Sequence, residues 1–170
     1  NLCMQSCTRG LIDRPLNIDK LGGLALDLPA PKKEKPTGHT IAVIGGGPAG
    51  LSAAWQLALK GHSVDLYEGM NKLGGKIEYC IPRERLPHDI LEKELSRFSE
   101  LGVNVHLNAK IDRSAFDEIY KAHELVVVAV GAQKPRTVAF PGSEHILTAY
   151  DFLKDINSGT FPDLKGKKVV

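Results

Sequence analysis

The residues with the clearest chemical meaning are three glycines spaced as G-x-G-x-x-G, namely Gly45, Gly47 and Gly50. Gly45 suits a tight turn, Gly47 has no Cβ to keep the backbone from a diphosphate, and Gly50 lets a helix pack closely on a strand. Glu68 follows at the end of the next apolar segment, where a carboxylate can accept a hydrogen bond from a ribose 2′-OH. Together these residues are typical of a dinucleotide-binding site.

The segments that must position these residues alternate as a strand, a helix and a second strand. Residues 41–44 (IAVI) form the short apolar run of a buried parallel strand. Pro48 suits the first turn of a helix, and residues 49–60, rich in Ala and Leu, predict that helix, which ends at Gly61. Residues 62–67 predict the second strand. The free N–H groups and the dipole at the helix start favour a bound anion.

The rest of the chain extends this pattern and predicts an α/β fold with a mostly parallel sheet. Residues 69–87 are predicted to form a loop that contains the paired glycines Gly74 and Gly75. The elements predicted after it are a helix at 89–101 ended by Gly102, a strand at 103–107, a helix at 115–122 after Ser114, a strand at 125–130, a helix at 149–156 and the beginning of a strand at 165–170. The run at 125–130 (LVVVAV) is predicted to be the most clearly buried strand. Because the final strand only begins, the sequence indicates a fragment of a longer protein.

The amino-terminal residues do not follow the α/β pattern. Cys3 and Cys7 form a C-x3-C pair, and Asp19 is predicted to cap a short helix that runs through Leu28. A segment rich in Pro, Lys and Gly then marks a boundary near Thr37. The sequence therefore predicts an irregular arm at residues 1–37 and a domain at residues 38–170.

Composition excludes several other classes of protein. The 22 Lys and Arg residues nearly balance 20 Asp and Glu residues, for a net charge of +2, and no stripe of basic and aromatic residues favours nucleic acid. The apolar runs are too short to span a membrane, and no secretory signal is visible. Three cysteines do not form a disulfide framework. The six histidines have no metal-binding spacing and are predicted to be surface or cap residues. A cytoplasmic location fits these features.

A glycine fingerprint alone does not separate NAD from FAD, but two further features bear on the choice. Leu73, Gly74 and Gly75 place small residues shortly after Glu68, where a long dinucleotide would extend past the sheet edge. The strand at 125–130 runs into another small-residue turn, which again permits close approach of the backbone to a ligand.

With these motifs in place, the sequence resembles the FAD-binding half of flavoproteins that have two dinucleotide-binding domains. Within them it is most similar to the glutamate synthase small subunit and its relatives, which include the amino-terminal part of dihydropyrimidine dehydrogenase. The motifs that carry the resemblance are AVIGGGPAGLSAA, EGMNKLGGK, IPRERLP, VVVAVGAQKPR and AYDFL. They cover residues 38–155.

The resemblance implies a Rossmann-like FAD-binding domain and a set of cofactor-binding residues. In the whole protein, NAD(P)H would reduce FAD, and FAD would pass electrons to [4Fe–4S] clusters in an electron-accepting subunit or domain. No catalytic side chain is implied. The implied FAD-binding residues are Gly45, Gly47, Pro48, Ala49, Gly50, Glu68, Gly69, Leu73, Gly74, Gly75, Lys76, Arg85, Ile111, Ala129 and Gly131. Arg85 has an independent rationale, since a guanidinium can pair with phosphate in a bidentate manner. The NAD(P)H domain of the family is not recognised in this sequence, so the chain alone is expected to be inactive.

The resemblance also gives the cysteines an expected role. Spacing alone favours free thiols at Cys3 and Cys7, whereas the family implies that they match the last two ligands of a cluster-binding run. Cys80 is predicted to be a buried or loop thiol. No C-x4-C pair follows the paired glycines, which argues against disulfide chemistry at the flavin.

Two residues depart from the family pattern, and two other classes of function stay open. Val130 replaces the usual threonine, and Lys76 replaces an apolar residue. An ordinary NAD-dependent dehydrogenase would not need the paired glycines and would bind NAD tightly. A non-catalytic module that docks a partner would bind no FAD and would expose an apolar patch.

Overall fold

The computed structural model describes residues 2–24, 27–29, 31–136 and 138–168. The chain divides into two compact units, Asn1–Pro31 and Lys32–Val170. Residues 32–37, part of the predicted linker, bond to the larger unit: the Glu34 N–H donates to the Leu59 carbonyl at 2.8 Å, and the Thr37 N–H donates to the Gly61 carbonyl at 3.0 Å. The functional division into an arm at residues 1–37 and a domain at 38–170 stays a prediction.

The described residues of the smaller unit include three short helical segments. They are α1 (Leu2–Gln5), a 3-10 turn (Thr8–Leu11) and α2 (Ile18–Leu24). Asp19 lies inside α2, so the prediction that it caps a helix from outside is wrong, and Leu28 lies beyond the end of α2.

The larger unit is built on a four-stranded parallel sheet. Its strands are β1 (Thr40–Ile44), β2 (Ser63–Tyr67), β3 (Asn104–His106) and β4 (Leu125–Val128), in the order β3-β2-β1-β4. In β1, Ile41 pairs with Val64 of β2 and with Leu125 of β4. Ala42 and Val43 of β1 are completely buried. The predicted α/β, Rossmann-like fold is confirmed.

In the described part of the larger unit, five α-helices accompany the sheet, along with a 3-10 turn at Ser143–His145. They are α3 (Pro48–Leu59), α4 (Lys76–Cys80), α5 (His88–Glu100), α6 (Arg113–Ala122) and α7 (Ala149–Asn157). Pro48 begins α3 as predicted, and the chain leaves α3 through Gly61, whose φ of 84° favours glycine. Leu91 and Phe98 bury the apolar face of α5.

Four predictions about these elements need correction. The predicted loop at 69–87 contains α4. The helix α6 begins at Arg113, before the predicted start after Ser114, and its cap is Asp112, whose side chain accepts from the Ala115 N–H. The strand β4 is not the most buried one, since Leu125 and Val128 are 53% and 59% exposed. β4 lies at the edge of the described sheet, where no described strand covers its outer side, whereas β1 lies between two strands. No strand forms at 165–168, and residues 169–170 lie outside the described residues.

A charged cluster joins β2, β3 and the end of α6. The carboxylate of Asp65 lies 2.8 Å from Nε2 of His106 and 3.2 Å from Nε2 of His123, which is the C-cap residue of α6. Burial by itself raises the pKa of Asp65, but the hydrogen bonds and charges of the two histidines outweigh burial and hold that pKa below its usual value. The spacing of the histidines in the sequence gives no sign of this cluster.

The lowered pKa of Asp65 predicts a loss of stability in acid. A carboxyl group whose pKa is lower in the folded state stabilises the fold above its unfolded pKa of about 3.9, and this contribution disappears as the pH falls through the folded pKa. We expect Asp65→Asn to lower the free energy of unfolding at pH 7, and the difference from wild type to shrink below about pH 4. Urea unfolding at several pH values measures this. A difference that stayed constant down to pH 3 would contradict the assignment.

Candidate dinucleotide-binding site

The carboxyl ends of the four strands open into one cleft of about 1070 Å³. Ile44 ends β1, Tyr67 ends β2, and Ala129 directly follows β4, and all three line the cleft. Residues 109–111, shortly after β3, line it as well. In open parallel sheets, ligands bind outside the carboxyl ends of the strands, beside the first glycine turn.

The first glycine turn is packed too tightly for two of its three glycines to be replaced. Gly45 has a φ of 110°, and a Cβ on it would collide with the carbonyl group of Ala129. A Cβ on Gly50 would collide with the carbonyl oxygen of Gly45. By contrast, a Cβ on Gly47 would approach nothing closer than 4.0 Å, the Cα of Gly75. Gly45 and Gly50 are therefore required by packing, while Gly47 leaves space at the start of α3 that a ligand can use.

Glu68 fixes this turn to the end of β2. Its Oε2 accepts from the Gly46 N–H at 2.8 Å, and its Oε1 accepts from the Met70 N–H at 2.8 Å. Glu68 is only 9% exposed and is the one carboxylate among the described residues that line the cleft. Carboxylate oxygens have further lone pairs, so Glu68 can also accept from a ligand hydroxyl.

A second glycine turn packs against the first one. The N–H of Gly74 donates to the carbonyl of Gly46 at 2.8 Å, and a Cβ on Gly75 would lie 2.9 Å from the Cα of Gly47. Gly74 and Gly75 have φ angles of 108° and 52°, which favour glycine. Leu73 is buried beneath the first turn, where its Cδ2 would meet a Cβ on Gly46. The two turns therefore form one continuous backbone surface.

The structure brings most of the predicted binding residues together. Those that line the cleft are Gly45, Gly47, Pro48, Ala49, Glu68, Gly69, Gly75, Lys76, Ile111, Ala129 and Gly131. Gly50, Leu73 and Gly74 support the two turns from behind. Arg85 is exposed and does not line the cleft. A contact of each residue with a cofactor stays a prediction.

The sequence motifs missed an equal number of residues that line the cleft. These are Ile44, Tyr67, Met70, Tyr79, Ala109, Lys110, Val130, Ala132, Gln133, Tyr150 and Lys154. Burial raises the pKa values of Tyr67, Tyr79 and Tyr150, so all three phenols stay neutral near pH 7. Ile44 and Tyr67 are the last residues of predicted strands, and this position could have indicated that they line the cleft. No local signal places Tyr150 or Lys154 in the cleft.

Behind the second glycine turn, Glu78 is almost fully buried and forms an ion pair. Its carboxylate accepts from Arg83 at 2.8 and 3.2 Å, and Lys72 lies 3.5 Å away. Burial raises the pKa of Glu78, but the hydrogen bonds and charge of Arg83, together with the nearby Lys72 and His88, outweigh burial and leave the pKa below its usual value. Arg83 therefore has a structural partner, while Arg85, two residues later, extends into solvent.

The cysteines provide too few ligands for a cluster by themselves. Cys3 is exposed and Cys7 is partly buried, with its Sγ 3.5 Å from the N–H of Leu16, a hydrogen bond that lowers the pKa of Cys7. A [4Fe–4S] cluster normally takes four thiolates. The described residues contain no group of three or more side chains able to hold a metal ion. Burial raises the pKa of Cys80, which is consistent with a partly buried thiol.

Comparison with known proteins agrees with this geometry. Residues 43–104 match the NAD(P)-binding Rossmann-like domain family. Glutamate synthase [NADH] of Schizosaccharomyces pombe is 32% identical over 99% of this chain and 9% of its own length. The chain is homologous to glutamate synthase. The glutamate synthase [NADPH] small chain of Azospirillum brasilense is 36% identical over 74% of this chain and 27% of its own.

A third relative is a subunit of a dihydropyrimidine dehydrogenase. The NAD-dependent dihydropyrimidine dehydrogenase subunit PreT of Salmonella typhimurium is 33% identical over 90% of this chain and 39% of its own length. The resemblance found in the motifs is thus confirmed. The chain spans between 9% and 39% of the lengths of these relatives, two of which are named as a subunit and a small chain.

A solved structure supports the fold. The structure of 2-naphthoyl-CoA reductase in complex with 2-naphthoyl-CoA matches 79% of this chain and 19% of its own, with a TM-score of 0.57 and 26% identity. Among the described residues, no helix has the length and apolarity needed to cross a membrane.

Proposed function

We propose that this chain is the FAD-binding part of an NAD(P)H-dependent oxidoreductase similar to the glutamate synthase small chain. The observation that carries the proposal is the contact between the two glycine turns at Gly47 and Gly75. This contact extends the surface of bare backbone beyond the fingerprint turn. A long dinucleotide such as FAD, which reaches past that turn, requires such an extended surface. The homology to glutamate synthase and to dihydropyrimidine dehydrogenase subunit PreT favours the same ligand.

The residues of the cleft suit the parts of FAD. The open space at Gly47, at the start of α3, would accept the diphosphate, because the first N–H groups of a helix have no partner within it. Glu68 would accept from the adenosine ribose. The small residues Ala129 and Gly131 would let the part of FAD beyond the diphosphate and the adenosine lie close to the backbone of their turn. The chemistry that a bound FAD supplies is the conversion of a hydride into single electrons.

The electron acceptor in this proposal is an iron–sulfur subunit or domain. Cys3 and Cys7 would give two of the four thiolates of a [4Fe–4S] cluster, and the lowered pKa of Cys7 favours the thiolate form that binds iron. The other two ligands would come from outside the described residues. NAD(P)H would bind to another part of the longer protein, and a cytoplasmic location is part of the proposal.

The test is a titration of the purified chain with FAD, NAD and NADP. We expect FAD to bind, with a shift of the visible flavin bands, and at least about tenfold more tightly than NAD or NADP, because only FAD uses the surface beyond the first turn. ADP, which contains the diphosphate and the adenosine, should compete with FAD.

Each alternative gives a different result. Tight binding of NAD with weak binding of FAD would favour the nucleotide domain of an ordinary dehydrogenase. Binding of none of the three would favour a docking module that retains the fold. The exposed apolar side chains of Leu125, Val128 and Val130 are compatible with such a module.

A further inference from the structure

The cleft has a second wall that lies outside the Rossmann-like segment. The match to the Rossmann-like domain family covers residues 43–104, whereas α7 (Ala149–Asn157) follows much later in the chain. Nevertheless, Tyr150 and Lys154 of α7 line the cleft together with Lys76 and Tyr79 of α4. The two helices thus form one wall opposite the strand ends.

Specific contacts hold α7 in this place. The side-chain amide of Asn157 donates to the carbonyl of Ile81 at 2.8 Å and to the carbonyl of Glu78 at 3.2 Å, at the end of α4. The Nζ of Lys76 lies 5.7 Å from the centre of the Tyr150 ring, in a cation–π contact. Because Glu78 is itself buried in an ion pair with Arg83, this anchor for α7 is firmly held.

The charge of the cleft is positive and unbalanced. Lys76, Lys110 and Lys154 line it, against the single carboxylate of Glu68, whose two oxygens already accept backbone hydrogen bonds. Within the described part of the chain, no carboxylate forms an ion pair with Lys76 or Lys154. Lys154 is also partly buried. A cleft lined by more cations than carboxylates attracts an anion.

We propose that Lys154 of α7, supported by Lys76 of α4, binds the diphosphate of the dinucleotide. This inference rests on the proposed function and adds to it a ligand contact from an element beyond the Rossmann-like segment. The two ammonium groups complement the N–H groups at the start of α3, which carry only partial positive charge. Arg85, the cation indicated by the sequence, does not line the cleft, whereas Lys76 and Lys154 do.

The experiment compares variants of the chain in titrations with FAD, ADP and riboflavin, which has no phosphate. We expect Lys154→Met to weaken FAD and ADP about fivefold to tenfold, as loss of a charge-assisted contact does, and to leave riboflavin unchanged. Lys154→Arg should retain most of the affinity because it keeps the charge. Lys121→Met, at an exposed lysine of α6 outside the cleft, is the matched control and should bind as wild type does.

Salt gives an independent readout. Raising the ionic strength should weaken FAD binding to wild type more steeply than to Lys154→Met, because the variant has lost one charge contact. If Lys154→Met bound riboflavin as weakly as it bound FAD, the effect of the substitution would be on the fold. That outcome would overturn the proposed contact with the diphosphate.

Failure of this inference and failure of the proposed function are distinguishable. If wild type binds FAD and ADP but Lys154→Met binds them as Lys121→Met does, the inference is wrong and the proposed function stands. A larger loss in Arg85→Met than in Lys154→Met would assign the diphosphate to Arg85 and overturn the inference. If the wild-type chain binds neither FAD nor ADP, the proposed function fails, and this inference fails with it.

Discussion

Replacing Gly50 by alanine is expected to destabilise the protein by about 3 kcal/mol or more, a large part of the 5–15 kcal/mol typical of a domain. A Cβ at this position would collide with the carbonyl oxygen of Gly45, which belongs to the turn between β1 and α3. Backbone on both sides of the collision is fixed, since Ala42 and Val43 of β1 are completely buried. The helix would have to move away from the sheet, and apolar contacts would be lost.

Gly47→Ala is the matched control for this change. Its φ of −81° is accessible to alanine, and the new Cβ would approach nothing closer than 4.0 Å. We therefore expect Gly47→Ala to change the free energy of unfolding by less than about 1 kcal/mol and to weaken FAD binding, because the methyl group would enter the space proposed for the diphosphate. Urea unfolding and FAD titration separate the two effects. Equal stability of the Gly50→Ala and Gly47→Ala variants would contradict the packing role of Gly50.

Replacing Glu68 by alanine is expected to cost both stability and affinity. The change leaves the Gly46 and Met70 N–H groups without their acceptor, and each unsatisfied buried donor costs roughly 1–3 kcal/mol. Because Gly46 also accepts from Gly74, both glycine turns should loosen together. We expect FAD to bind at least about tenfold more weakly, through loss of the ribose contact and of the ordered turn.

Two further variants separate these causes. Glu68→Gln retains one acceptor oxygen and should recover part of the stability, while Glu118→Ala, at an exposed position of α6, controls for removal of a negative charge. Unfolding and FAD titration of all three variants give the comparison. An unchanged FAD affinity in Glu68→Ala would refute the role of Glu68 in ribose binding, even if the stability falls.

Local signals in the sequence were sufficient to predict the elements at the centre of the fold, β1 and α3. The strand at residues 41–44, the helix start at Pro48 and the stop at Gly61 each depend on neighbours a few residues away. The same holds for Gly45 and Gly50, because the turn between a strand and its crossover helix is a local structure. For this reason the strand, turn and helix around the fingerprint were predicted correctly. The family resemblance indicated others of the eleven named residues that line the cleft, and their contact with a cofactor stays a prediction.

The burial of β4 depended on its neighbours in the sheet. Its sequence, LVVV, is as apolar as that of β1, yet β1 has a strand on each side and β4 pairs only with β1. An apolar run specifies that a strand is suited to burial, but the position in the sheet decides how much of it is covered. The prediction failed because strand order is not encoded locally.

The sequence by itself determined the dinucleotide-binding turn, the acid that follows β2 and the alternation of strands and helices. The tertiary structure decided which distant residues complete the cleft. In the folded chain, Glu78 forms an ion pair with Arg83, and Arg85 lies in solvent. Lys154 of α7 lines the same cleft as Lys76. The physical reason is the range of the interactions. Turn geometry and helix capping act over a few residues, whereas Lys76 and Tyr150, which are far apart in the sequence, make contact only when the whole chain packs.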